Sequence, residues 1–196
     1  AVFGIHIGTI VSKDIKAGTV ICVPGCRDAS FDKFVIKVKG IGCHGSTRKK
    51  VWTRSILRPI SSSISRRSLP VRSRQLSFRT HYRPCEGRFR YNVIPSEVLI
   101  EGTIRALEED VRQELAKRIG EIAEATAKAF RGEAEYEMIW GAPPVINDAG
   151  MAKLAGGLWP RDGGGDDMVI DHLDAPNMGG EDFAYYLEKA PGASCS

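Results

Sequence analysis

The stretch Phe34 to Ser46, FVIKVKGIGCHGS, constrains the fold more than any other part of the chain. Phe34, Ile36 and Val38 alternate with Val35, Lys37 and Lys39, the period-2 signature of a half-buried strand. The pattern predicts a strand over Ser30 to Gly40. Glycines at 40, 42 and 45 then release the backbone from ordinary dihedral limits. His44 stands between two of them at the strand end, on a tight turn from which its ring can reach a substrate. Ser46 or Thr47 can cap a following helix. The plainer reading of the same residues is a turn with an incidental histidine.

The patterning beyond this strand supplies its companions. Glu97 to Arg105, EVLIEGTIR, alternates with Val98, Ile100 and Ile104 on one face. Glu108 to Phe130 is the clearest helix, with Val111, Leu115, Ile119, Ile122 and Ala129 close to one side. Glu108, Glu109 and Asp110 suit the positive end of its dipole, and Gly132 after Arg131 reads as its stop. Ala134 to Trp140 is a further strand. These elements predict a small open sheet backed by helices, an α+β sandwich. With a helix over Ser46 to about Arg67 the order becomes β-α-β-β-α-β.

The flanks are of another kind. Ala1 to Thr9 reads as a short buried strand with His6 among Phe3, Ile5 and Ile7. A lone histidine there is either a satisfied core residue or, at a strand end, a ligand for a divalent transition ion. Val20 to Val23 and Met168 to Ile170 read as short strands, and Asn147 to Leu158 as a helix. Gly179 and Gly180, before Glu181 and Asp182, form a tight turn opening a helix that the two acids could simply cap.

Charge divides the chain in two. Of 28 Lys and Arg, 13 fall within residues 48 to 90 against the single acid Glu86, leaving 15 basic and 23 acidic residues elsewhere. This segment is rich in Arg and Ser, holds no period for long, and reads as irregular: a basic linker or an Arg-rich nucleic-acid segment. The five cysteines are odd in number and lack CxxC spacing, which supports neither a disulfide framework nor a zinc ribbon. No apolar run nears the roughly 20 residues that span a bilayer, and nothing at the start resembles an export signal. A reducing cytoplasm, away from membranes, is the expected setting.

Four landmarks stand in one order: FGIHIGT with AGTV, KGIGCHGST, NVIPSEVLIEGTIRAL and MGGEDFAYYLEKAPGA. Together they resemble the co-catalytic metallopeptidases of the aminoacylase and carboxypeptidase type, in the branch of hippurate and auxin-conjugate hydrolases. The resemblance covers residues 1 to 47 and 91 to 193. It implies α/β catalytic-domain pieces, residues 1–30 and a truncated 142–196, flanking an α+β lid and dimerisation domain at 31–141. It also implies His6 as a metal ligand and His44 as the lid residue that stabilises the oxyanion in a partner subunit's site. Asn92 falls where the substrate's carboxylate side is bound, and Arg105 and Glu181 lie in motifs beside the site.

The chemistry so implied is hydrolysis of the amide bond of N-acyl amino acids or of C-terminal peptide bonds. Two divalent metals, zinc first with manganese, cobalt or nickel as alternatives, polarise the carbonyl and activate water. A glutamate serves as base, and a hydrogen-bond donor meets the oxyanion. The family's Cys-x-His ligands and Glu-Glu pair would precede Ala1 and its distal histidine would follow Ser196, so the chain is expected to be an incomplete fragment, inactive alone. Residues 48 to 90 keep the length of a lid while losing its pattern, as a reading-frame slip would leave them. Ala193 to Ser196, where the family continues into a strand, reads as a second slip. Expected partners are an N-acyl amino acid or peptide and a second copy joined through the lid, with no specific nucleic acid. The competing classes are a lid-only dimerisation module without catalysis, and a basic nucleic-acid-binding protein using residues 48 to 90.

Overall fold

The computed structural model describes residues 1–7, 15, 18–44, 46, 59, 60, 63, 64, 92–158 and 169–196, and the backbone of 74–81. Along the chain the elements are β1 (Val2–Ile5), β2 (Val20–Ile21), β3 (Gly25–Asp28), β4 (Asp32–Lys39), β5 (Cys43–His44) and β6 (Arg74–His81). Then come β7 (Val93–Ile94), β8 (Glu97–Ala106), helix α1 (Glu109–Ala129) and β9 (Glu133–Ile139). The order continues with β10 (Val145–Asn147), α2 (Ala149–Leu158), β11 (Val169–Ile170), α3 (Ala184–Leu187) and β12 (Gly192–Cys195). It is an α/β fold with mixed sheets. Two compact units divide it, one from residues 1–31, 105–109 and 141–196 and the other from 32–104 and 110–140.

The second unit is built on a four-stranded sheet of order β6-β8-β4-β9. β4 runs antiparallel to both neighbours, with Ile36 opposite Ile100 on β8 and Tyr136 on β9. The alternation read in the sequence decides the faces. Phe34, Ile36, Val38, Val98, Ile100 and Ile104 are buried against α1. The other face carries ion pairs of Lys33 with Glu101, Lys37 with Glu97 and Lys39 with Glu135, which at such exposure add little stability.

The buried stripe of α1 is Arg112, Leu115, Ala116, Ile119, Gly120, Ala123 and Ala127. Val111 and Ile122 are only partly buried and Ala129 is exposed. The stripe turns toward small residues because they let the helix lie close to the sheet: a Cβ on Gly120 would stand 2.7 Å from the Tyr136 ring. At the helix end Gly132 donates to the Ala127 carbonyl over 2.9 Å, but the left-handed residue is Arg131, with φ of 59°.

The structure corrects the reading of residues 48 to 90 as irregular throughout. Residues 59, 60, 63 and 64 are helical, Ile60 and Ile64 join the core under the sheet, and β6 supplies the sheet's fourth strand. Leu76, Phe78 and Thr80 alternate with Gln75, Ser77 and Arg79, a strand period submerged in the basic composition. The rest of the segment lies outside the described residues, as do Gly45, Thr47 and the Asp/Gly loop at 162–167.

In the first unit β1 pairs with β12 and β2 with β11, both in parallel, while β3 pairs with β10 antiparallel across a bulge at Val145 and Ile146. Ser196 and Ile21 exchange two backbone hydrogen bonds of 2.7 and 2.9 Å, tying β12 to β2. The last residues are thus a strand, not the departure from one that Ala193 to Ser196 suggests. Asp148 caps α2, its carboxylate accepting from the Met151 N–H at 2.9 Å. Val20, Cys22, Ala152, Ala193 and Cys195 form a small core.

Two expectations fail here. β1 is not a buried strand, since Phe3 is 48% and Ile5 70% exposed. Cys22 and Cys195 are joined in a disulfide, their Cα atoms 4.6 Å apart. Composition misses that pair because the two lie 173 residues apart and only the sheet brings β2 and β12 together. With it goes the cysteine argument for a reducing compartment. No helix among the described residues is long and apolar enough to cross a membrane.

Candidate functional site

The sequence-predicted residues gather in two places, one in each unit. In the first unit His6 follows β1, its N–H held by the Cys195 carbonyl at 2.9 Å. Its Nδ1 meets the Glu181 carboxylate in a short hydrogen bond. Burial, the largest single influence, pushes the Glu181 carboxyl up, but hydrogen bonds with His6, Asp182 and the Phe183 N–H, together with the charge of His6, hold the group below its ordinary range. An ionised carboxylate on Nδ1 holds the proton there and leaves Nε2 as a lone-pair donor, the arrangement that orients metal-binding imidazoles.

Behind this pair lies a buried polar group that sequence reasoning missed. Arg27 and Asp28 on β3 are both buried. The Arg27 Nη1 donates to Asp28 Oδ2 at 2.7 Å and to Ser194 Oγ at 2.9 Å. The Asn177 amide donates to the other Asp28 oxygen at 2.7 Å. Burial raises the Asp28 carboxyl above its ordinary range, and Arg27 and Asn177 only partly offset it. The signal available was the charged pair Arg27-Asp28 beside a turn, which composition reads as exposed.

Arg105, from the end of β8, stacks its guanidinium over the Phe31 ring at 5.7 Å. The same ring fills the space beside Gly180, where a Cβ would stand 2.2 Å from it. A glycine is required there by packing.

In the second unit β5 pairs with β7, setting His44 opposite Val93. Gly42 permits this approach, since its Cβ would lie 2.6 Å from the Ile94 carbonyl oxygen. His44 Nε2 lies 3.1 Å from the Asn92 amide nitrogen, and His44 Nδ1 meets both the Ser46 Oγ at 2.7 Å and the Ser46 N–H at 3.4 Å. His44 is exposed, and Asn92 is half-buried beside it. Ser46 serves the histidine ring.

Among the described residues no group of three or more His, Cys, Asp or Glu is placed to hold a metal ion. His6 offers one nitrogen, which does not make a two-metal centre.

No family model matches the chain. The N-acetyl-L-cysteine deacetylase of Bacillus subtilis is 32% identical over 200 residues, covering 98% of this chain and 44% of its own. The N-acetyldiaminopimelate deacetylase of Streptococcus pneumoniae is 28% identical over 196 residues, covering 97% and 49%. The YXEP protein of Bacillus subtilis, a dinuclear metal binding peptidase from the M20 family, superposes with a TM-score of 0.73 at 27% identity, covering 98% of this chain and 46% of its own. Over nearly its whole length the chain is homologous to these amidohydrolases, deacetylases and metallopeptidases. It spans about half the length of the curated relatives it matches.

Proposed function

We propose that this chain is part of a divalent-metal-dependent hydrolase that cleaves the amide bond of N-acyl amino acids or C-terminal peptide bonds. The observation that carries the reading is the Glu181 carboxylate on His6 Nδ1, which readies Nε2 to serve as one metal ligand. Among the described residues no cluster completes a metal centre around His6, and on this reading the chain alone is inactive. Zinc is the preferred ion, with manganese, cobalt and nickel as substitutes.

The second unit acts as a lid and as the dimer contact, in the β-α-β-β-α-β arrangement. His44 donates to the carbonyl oxygen of a substrate held by the neighbouring subunit, where negative charge develops. Asn92, now on His44 Nε2, turns to the substrate's carboxylate and frees that nitrogen to act. Arg105 stands on the carboxylate side as a further cation. Residues 48 to 90 carry no specific nucleic-acid role, and the enzyme works without a membrane partner.

The test is a chimera: the stretch of the Bacillus subtilis N-acetyl-L-cysteine deacetylase that matches this chain is replaced by it. Chelator-sensitive release of amino acid from N-acetyl amino acids is expected, and none from this chain by itself. A chimera that folds and holds its metals yet hydrolyses no N-acyl amino acid or peptide contradicts the assignment.

A further inference from the structure

We propose that Asn177, anchored on Asp28, is a positioning residue that sets how Glu181 meets His6. The inference rests on the reading of His6 as a ligand only for its purpose, because the geometry it describes is one of hydrogen bonds among this chain's own residues.

Asn177 is held by its backbone and its side chain alike. Its N–H donates to the Arg27 carbonyl and its carbonyl accepts from the Ala29 N–H, each at 2.9 Å. Its amide nitrogen donates to Asp28 at 2.7 Å, and its amide oxygen accepts from the Gly179 N–H at 3.1 Å. Asp28 cannot swing away, since Arg27 occupies its second oxygen and is fixed in turn by Ser194. The turn between Asn177 and Glu181 has no slack. A Cβ on Gly179 would stand 2.7 Å from the Asn177 amide nitrogen, and one on Gly180 would strike Phe31.

These contacts close a ring. β12 fixes the His6 backbone through Cys195 and fixes Arg27 through Ser194. From Arg27 the path runs through Asp28, Asn177, Gly179 and Glu181 back to the His6 imidazole. Both partners of the His6–Glu181 bond are therefore referred to one strand. The Asp28–Asn177 link is the polar side-chain step of that path closest to the turn: one of the two amide N–H groups holds Asp28 while the amide oxygen holds the Gly179 N–H.

The experiment reads the His6 ring in the metal-free chain by long-range nitrogen–proton NMR, at a pH above the imidazole range. Wild type is expected to carry the proton on Nδ1. Asn177→Ala should shift His6 toward the Nε2–H tautomer. The exchanged pair Asp28→Asn with Asn177→Asp, which restores the same bonds with donor and acceptor reversed, should return it to Nδ1–H. A purely structural role would lower stability without moving the His6 nitrogen shifts. That result in a folded Asn177→Ala variant, or no recovery in a folded exchanged pair, overturns the proposal. Wild-type hydrogen exchange keeps the idea testable even if the variants do not fold. The Gly179 N–H should exchange on the order of 100-fold slower than an unstructured amide, and exchange at the unstructured rate overturns it. Titration of the same samples with cobalt reads the ligand role of Nε2 separately, so that role and the positioning role can fail independently.

Discussion

Asp32 opens β4 with its carboxylate buried, and Arg112 on α1 meets it with two donors, Nε at 2.8 Å and Nη2 at 2.7 Å. The Arg112 guanidinium also lies over the Trp140 ring at 4.9 Å. A buried pair of this kind is a weak source of net stability, but removing one partner strands the other's charge in the core. Arg112→Ala should therefore cost about 3–5 kcal/mol in a urea unfolding curve. A loss within the range of a surface substitution would mean that Asp32 finds water or another partner. Neither residue stands out in the sequence, because periodicity identifies apolar positions and reads an arginine on a helix as its solvent side. The same limit hid Arg27 and Asp28. By contrast His6, Glu181, His44 and Asn92 were legible, since each sits at a glycine-rich turn or a strand end inside a recognisable motif. What the sequence did not reveal is the pairing, which depends on strands distant in the chain.

At the scale of elements, patterning carried β4, β8 and α1 almost to the residue, because each buries one face and leaves the other charged. It failed for β6, where alternation is present but arginine and serine dilute its contrast. The stop read at Gly132 holds, with its N–H on the Ala127 carbonyl, while the left-handed conformation falls to Arg131. A residue with a Cβ pays roughly 1–2 kcal/mol for left-handed backbone that glycine adopts freely. Arg131→Gly should accordingly raise stability by about 1 kcal/mol, read as a shift of the denaturation midpoint at unchanged slope. No gain would indicate that the Arg131 side chain contributes contacts worth as much as the strain.

At the scale of the whole molecule, one covalent bond ties β2 to β12 across most of the chain. Cross-links that close long loops restrict the unfolded ensemble by about 4–5 kcal/mol in the chain-entropy account. Non-reducing peptide mapping should recover Cys22 linked to Cys195, and reduction should lower the melting temperature of the first unit without altering the sheet of the second. Recovery of both residues as free thiols would remove the bond from the account. The His6 pair and the His44 pair belong to different units, and the proposed function assigns to the first the holding of a metal and to the second the meeting of a developing oxyanion.

That division is tested most directly by metal content in the chimera with the N-acetyl-L-cysteine deacetylase. His6→Ala should lose bound metal, and activity with it. His44→Ala should keep its full complement while turnover falls roughly 10²–10³-fold, the usual cost of one oxyanion donor. A folded His6→Ala chimera that retains all its metal would contradict the central claim.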